Sequence, residues 1–203
     1  MISPTNGIYL ASRSPRRRQL LKQIGVNFEV RPIDVDETLE RGEAPADYVC
    51  RMARAKAELG WMGILKRGLP LRPLLAAATV VVLRGKIIGK PDKPGSGRKM
   101  LSALSGKTHK VLTAVAVVAN NRIEEAISST SIRFRDISQS EITDYLNGGE
   151  SHGRKGSYAM QGQAEIFVMK ISGSYSGALG LPVFETAELL EKFDINLSHM
   201  VDK

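Results

Sequence analysis

The sequence predicts a mixed α/β fold, a twisted sheet with helices on its faces and two lobes around a cleft. Three observations carry this. Apolar runs alternate along the chain with segments of helical period. Two of those runs, residues 74–83 and 110–119, are rich enough in β-branched residues to be central strands. Residues 8–21 read as strand, serine-containing loop and helix start, the order in which α/β proteins present a phosphate site.

The elements follow in chain order. The apolar run Ile8, Tyr9, Leu10 and Ala11 predicts a strand near 8–12. Ser14 is a hydroxyl N-cap and Pro15 is pre-set for the first helical position, so a helix near 15–24 follows until Gly25 stops it. Arg16, Arg17 and Arg18 fill its first turn, where the helix dipole favours acids instead. A solvated basic turn is one account of them. The strand just upstream favours another, an anion held by free backbone N–H groups and guanidinium forks. A strand near 28–33 precedes the acidic loop Asp34-Val35-Asp36-Glu37-Thr38. A long helix then runs from Pro45 to about residue 59, with Val49, Met52 and Lys56 on one face. Lys56 in that apolar stripe is either a snorkelling stem or an ammonium aimed into a cleft. Residues 85–99 form a turn-rich basic loop between the two central strands, and a short helix spans 98–104. Residues 123–134 are a further strand. Ser138 and Glu141 form a capping box for a helix carrying Ile142, Tyr145 and Leu146, which Gly148 and Gly149 end. A glycine- and serine-rich tract, 148–162, precedes an expected strand at 164–171, and Pro182 starts the last helix, 183–193. With no repeat and no clear linker, one domain over 1–203 is expected.

Composition narrows the function. The 203 residues are 42% hydrophobic and 25% charged, ordinary for a soluble globular chain. No apolar run approaches the roughly 20 residues of a membrane span. The N-terminus lacks a signal-peptide layout, and Cys50 is the only cysteine, so no internal disulfide and a reducing cytoplasmic setting are expected. Cys50 itself reads as an inert thiol. The net charge of +8 is concentrated: residues 13–23 hold five cations and no acid, and residues 84–110 hold eight against Asp92 alone. Anionic partners are favoured. Aromatics, 5% of the chain, are not interleaved with the basic residues, which counts against a nucleic-acid platform. A compact phosphorylated ligand fits better.

Several motifs are decoys. Ser105-Gly106-Lys107-Thr108 has a P-loop ending, but Leu101 stands at its required first glycine. His109, His152 and His199 have no metal-ligand spacing. What remains suits hard anions: Ser12, Arg16 and Arg17 at one helix start, Lys56 on its helix, and Lys90 between Gly89 and Pro91. Asp36 and Glu37 offer oxygens suited to Mg²⁺, and Gln161 is an amide able to read a base edge or a phosphate. Together they point to phosphate-ester or phosphoanhydride chemistry.

With these residues assembled, the chain resembles the Maf family, nucleoside triphosphate pyrophosphatases also called septum-formation inhibitors. The motifs are LASRSPRRRQLL (10–21), VDET (35–38), DYVCRMARAKA (47–57), TVVVLRGKIIGKP (79–91), LSALSGKTHKVLTAVAV (101–117), GSYAMQG (156–162) and GSYSGALGLPVFET (173–186). The resemblance implies a cytoplasmic, usually dimeric α/β protein with a nucleotide-binding cleft between two lobes. It implies Mg²⁺ or Mn²⁺ as cofactor and a nucleoside triphosphate substrate, cleaved to monophosphate and pyrophosphate. The variants around Thr79 and Tyr158–Gln161 resemble the dTTP/UTP branch. Carried over, Ser12, Arg16 and Arg17 would hold phosphates, Lys56 and Lys90 would neutralise the transferring group, and Glu37 would help bind metal. Arg16, Thr79 and Gln161 match base-specificity positions.

The departures are as informative. Where the family reads Gly-Ala-Asp-Thr, this chain has Ala76-Ala77-Ala78-Thr79, so Ala78 stands at the proton-accepting aspartate. Gly153-Arg154-Lys155-Gly156 replaces Asp-Lys-Ala-Gly, Ala55 replaces a glutamate, and residues 92–98 place glycines at an expected helix start. A pyrophosphatase with impaired turnover is therefore expected. The alternatives are a non-catalytic nucleotide-binding regulator linked to cell division and, less favoured, a nucleic-acid binder.

Overall fold

In the computed structural model, which describes residues 7–197 other than 92, 94 and 152, β1 (Ile8–Leu10) and β2 (Phe28–Val30) pair in parallel across α1 (Pro15–Gln23). Asp92, His152 and His199 thus lie outside the described residues. The Ser14 side chain accepts from the Arg17 amide, closing the cap expected of Ser-Pro. α2 (Pro45–Lys66) runs seven residues past the expected end at 59. Gly60 does not break it, because a side chain there would collide with Leu74 at 2.7 Å. That glycine thus lies against β3 (Leu74–Leu83).

β3 is the hinge of the sheet. It pairs in parallel with β1 and antiparallel with β5 (Thr108–Ala119), and its alanines and valines are nearly all buried. A buried central strand of this composition is what two covered sheet faces require. β4 (Lys86–Ile88), unanticipated inside the basic loop, folds back on β3 through Arg84 and Gly85, both at positive φ (50° and 76°). Two such residues give the turn whose twist suits a hairpin. After α3 (Ser96–Leu104), β5 and β6 (Arg122–Phe134) form a long hairpin, and α4 (Gln139–Asn147) opens on the expected capping box. The expected strand at 164–171 is corrected: residues 163–167 are a 3-10 turn, and β7 is Val168–Ser172. Ala164 and Phe167, three apart, both turn into the core, a helical rather than an alternating pattern. α5 (Tyr175–Leu179), missed in the sequence, precedes α6 (Val183–Glu191).

The sheet order is β2-β1-β3-β5-β6-β7, with β4 beside β3. The mixed α/β class is as expected, and one continuous core runs from β1 to α6. No helix among the described residues is long and apolar enough to cross a membrane.

One core residue makes stability pH-dependent. His109 on β5 is buried, packs edge-on against Phe134 and shares a 2.7 Å hydrogen bond with Tyr158 through Nε2. Its Nδ1 has no partner among the described residues. Burial pushes its pKa down from 6.5 to about 4. Between those values the unfolded chain binds a proton that the folded chain refuses, so stability falls as pH drops through that window. Moving from pH 7 to pH 5 should cost about 2 kcal/mol through this residue, from ~1.4 kcal/mol per pKa unit. Urea midpoints for wild type and His109→Gln at the two pH values measure it. The variant should lose most of the difference, and an unaltered difference would refute the assignment.

Candidate active site

The loop from β1 into α1 forms one side of an open cleft of about 490 Å³. Arg17 sits at its floor. The guanidinium is partly buried and donates from Nε to the Gly180 carbonyl at 2.7 Å. Its Nη1 donates to Ser12 Oγ at 3.1 Å and to the Ala77 carbonyl at 3.0 Å, and Nη2 to Thr79 Oγ1 at 3.1 Å. Four of the five N–H donors are thereby committed to three separate segments. Burial pushes its pKa down to about 10, opposed by Glu37, so the group stays charged at neutral pH. Arg17 is thus a positioning residue more than a free phosphate grip.

Its neighbour Thr79 heads a short proton chain. Thr113 Oγ1 donates to the Gly177 carbonyl at 2.8 Å, so the proton in the 3.0 Å contact between Thr79 and Thr113 belongs to Thr79. Thr79 also accepts from Arg17. Its hydroxyl therefore faces the cleft as an acceptor with no proton to give. Met160, Ala178 and Leu179 supply apolar wall nearby.

A second cluster forms around Glu37. Lys56 Nζ lies 2.6 Å from Oε1 and Lys155 Nζ 4.0 Å from Oε2. Burial would raise the Glu37 pKa, but Lys56, Lys155 and Lys90 outweigh it and hold the carboxyl below its usual range. Lys155 is pushed down to about 8 by burial, with Lys56, Lys90 and Arg17 adding to the effect against Glu37. Of the two accounts of Lys56, the ammonium in a cleft holds. Lys155 was not singled out in the sequence; a lysine next to an arginine in a glycine-rich tract carries no local signal of burial.

The structure brings Ser12, Arg16, Arg17, Glu37, Lys56, Ala78, Thr79 and Lys90 into this one cleft. Ala78, nearly buried on β3, is among the residues that line it and offers only a methyl group. Gln161 is not brought in with the rest. It lines an adjoining depression with Arg16, Gln19, Gln23 and Tyr175, and only its backbone carbonyl accepts from Arg16, at 3.2 Å. Asp36 folds onto Thr38 and Asp34 pairs with Arg13, leaving Glu37 as the cleft's carboxylate without an arginine partner among the described residues. No described trio of His, Cys, Asp and Glu could enclose a metal ion. A single carboxylate does fit Mg²⁺ arriving on phosphates, since that ion keeps waters and takes one or two protein oxygens. The Ser105–Thr108 string is the turn from α3 into β5, with Lys107 Nζ donating to the Ala103 carbonyl. Burial pushes the Cys50 thiol up, in keeping with an inert role.

Comparison with known proteins points to one family. The family model described as Maf-like protein matches residues 7–193. A dTTP/UTP pyrophosphatase of Nitrosomonas europaea is 51% identical, covering 97% of this chain and all of its own. Proteins of the same name from Nitrosospira multiformis and Chromobacterium violaceum are 51% and 46% identical, covering 95% and 94% of this chain and 97% and 96% of their own.

The Arg17 tie has a measurable strength. Arg17→Met retains much of the stem but strands the Ala77 and Gly180 carbonyls, each costing about 1–3 kcal/mol when left unpaired. Urea denaturation should show a loss of about 2–4 kcal/mol, reduced by relief of the buried charge. Arg17→Lys should recover little, because one ammonium cannot reach acceptors on three segments. Wild-type stability in both variants would show that the tie is dispensable.

Proposed function

The chain belongs to the Maf-like protein family, and from that premise we propose that it is a nucleoside triphosphate pyrophosphatase for dTTP and UTP whose turnover is slowed by Ala78. The observation that carries the base preference is the Thr79 hydroxyl, committed as an acceptor. Thymine and uracil present an N3–H donor to such a group; cytosine presents an N3 acceptor and would be repelled. The lysines around Glu37 suit the triphosphate, and Arg16 lies between the two clusters and the depression lined by Gln161.

In the reaction so read, water attacks the α-phosphorus, the bond to the bridging oxygen breaks, and pyrophosphate leaves. Lys56, Lys90 and Arg16 stabilise the charge that develops on the phosphoryl oxygens, and Ser12 donates its free hydroxyl proton to a phosphate oxygen. Glu37 would hold Mg²⁺ or Mn²⁺, which supplies Lewis-acid polarisation of the phosphates when bound. Arg17 holds Thr79 and the β1–α1 loop in register throughout. The proton of the attacking water has no carboxylate to receive it at position 78, and this is the step that suffers. The same reading takes the protein to be a cytoplasmic homodimer. Ala78 also favours a second reading, a nucleotide-binding protein that keeps its triphosphate intact.

Two measurements follow. Ala78→Asp should raise pyrophosphate release from dTTP by about 10²–10⁴, the usual worth of a positioned general base. No gain, with dTTP still bound, would remove position 78 from the mechanism and favour the second reading. In the Ala78→Asp background, UTP should be turned over with at least about 10-fold higher kcat/KM than CTP, and Thr79→Val should narrow that ratio. Equal use of UTP and CTP would dispose of the Thr79 argument.

A further inference from the structure

Bond accounting separates the cations that are free to hold a ligand from those that are not. Arg17, at the centre of the basic turn, spends four of its donors on protein acceptors. Lys56 spends one of its donors on Glu37 at 2.6 Å. Lys155 is different. An ammonium has three donors, and that of Lys155 finds no hydrogen-bond acceptor among the described residues; its nearest anionic oxygen, Glu37 Oε2, is 4.0 Å away. The side chain is only 23% exposed, so these donors are not simply released to bulk water.

The backbone beneath it is held. The Gly156 amide donates to the Gly89 carbonyl at 2.9 Å, fixing this segment to the chain just before Lys90. Gly156 takes a positive φ of 70°, and a side chain there would press on Val81 at 3.2 Å. Lys155 is thereby set on the same rim as Lys90, and both face the cleft. One carboxylate cannot neutralise three lysines. The cluster therefore carries surplus positive charge with donors still open, and its complement is an anion with several oxygens.

We propose that Lys155 is a direct phosphate-binding residue, gripping the polyphosphate end of the ligand alongside Lys90. The inference rests on the nucleotide reading above for its natural ligand, but inorganic tripolyphosphate tests the grip without the base. A charge-assisted contact of this kind should make the loss grow with the number of phosphates.

Equilibrium dialysis of wild type, Lys155→Met and Lys155→Arg with dTTP, dTMP and inorganic tripolyphosphate decides the matter, with melting curves to certify folding. Lys155→Met should weaken dTTP and tripolyphosphate by about 10-fold or more, and dTMP by less than about threefold. Lys155→Arg should recover most of the affinity. Lys155→Gln serves in place of the methionine variant if that fails to fold. A folded variant that binds dTTP and tripolyphosphate as wild type does would overturn the proposal and leave the nucleotide reading standing. An equal loss for dTMP and dTTP would also overturn it, since Lys155 would then act only through Glu37. If wild type binds tripolyphosphate but not dTTP, and the variant loses it, the proposal stands and the nucleotide reading falls. If wild type binds neither, both fall.

Discussion

The cleft depends on one partly buried cation. Arg17 joins the loop after β1, the middle of β3 and the turn after α5, three segments that are far apart in the chain. A charged group without a carboxylate partner is costly to bury, and it is tolerated here because four neutral acceptors replace most of its water. That satisfaction is local and directional. It leaves the positive charge itself uncompensated, so the floor of the cleft carries a field that favours an anion before any ligand arrives. The three arginines in the first turn of α1 thus divide their work. Arg17 is consumed by structure, Arg16 reaches along the rim to the Gln161 carbonyl, and Arg18 lies outside the cleft lining.

The same tie sets chemistry as well as shape. Because Arg17 can only donate, it fixes Thr79 as its acceptor, and the Gly177 carbonyl fixes the proton of Thr113. The Thr79 hydroxyl is left with one orientation. Selectivity of this kind needs no movement and no extra charge; it comes from using up a proton elsewhere. A hydroxyl free to rotate would serve donors and acceptors alike.

Much of this was legible in the sequence wherever the signal was local. Ser14-Pro15 marked the start of α1, the Ser138–Glu141 box marked α4, and the valine-rich run marked β3, since each signal lies within a few residues of its effect. The elements that escaped are short. β4 has three residues and α5 five, too few to show a period, and each is defined by tertiary partners. The 3-10 turn before β7 deceived because Ala164 and Phe167 are apolar in either conformation. At the site, residue identity was legible and bond accounting was not. Arg17 and Lys155 are both cations in basic stretches, and only the fold reveals that one is spent and the other open. For Gln161, too, the motif does not reveal that its backbone carbonyl is what Arg16 meets.

Binding and hydrolysis are physically separable in such a cleft. Holding a triphosphate needs surplus positive charge and donors, and these come from α1, α2, the end of β4 and residues 154–155 together. Loss of any one contributor dilutes the field without abolishing it. Activating water needs a single proton acceptor at one point, and no long-range field substitutes for it. Glu37, the remaining candidate, is flanked by Lys56 and Lys155, which hold it in the ionised form and lower its basicity. A carboxylate so stabilised is a poor base. On the proposed reading, the arrangement keeps the distributed half of the function and leaves position 78 without an acceptor for the concentrated half.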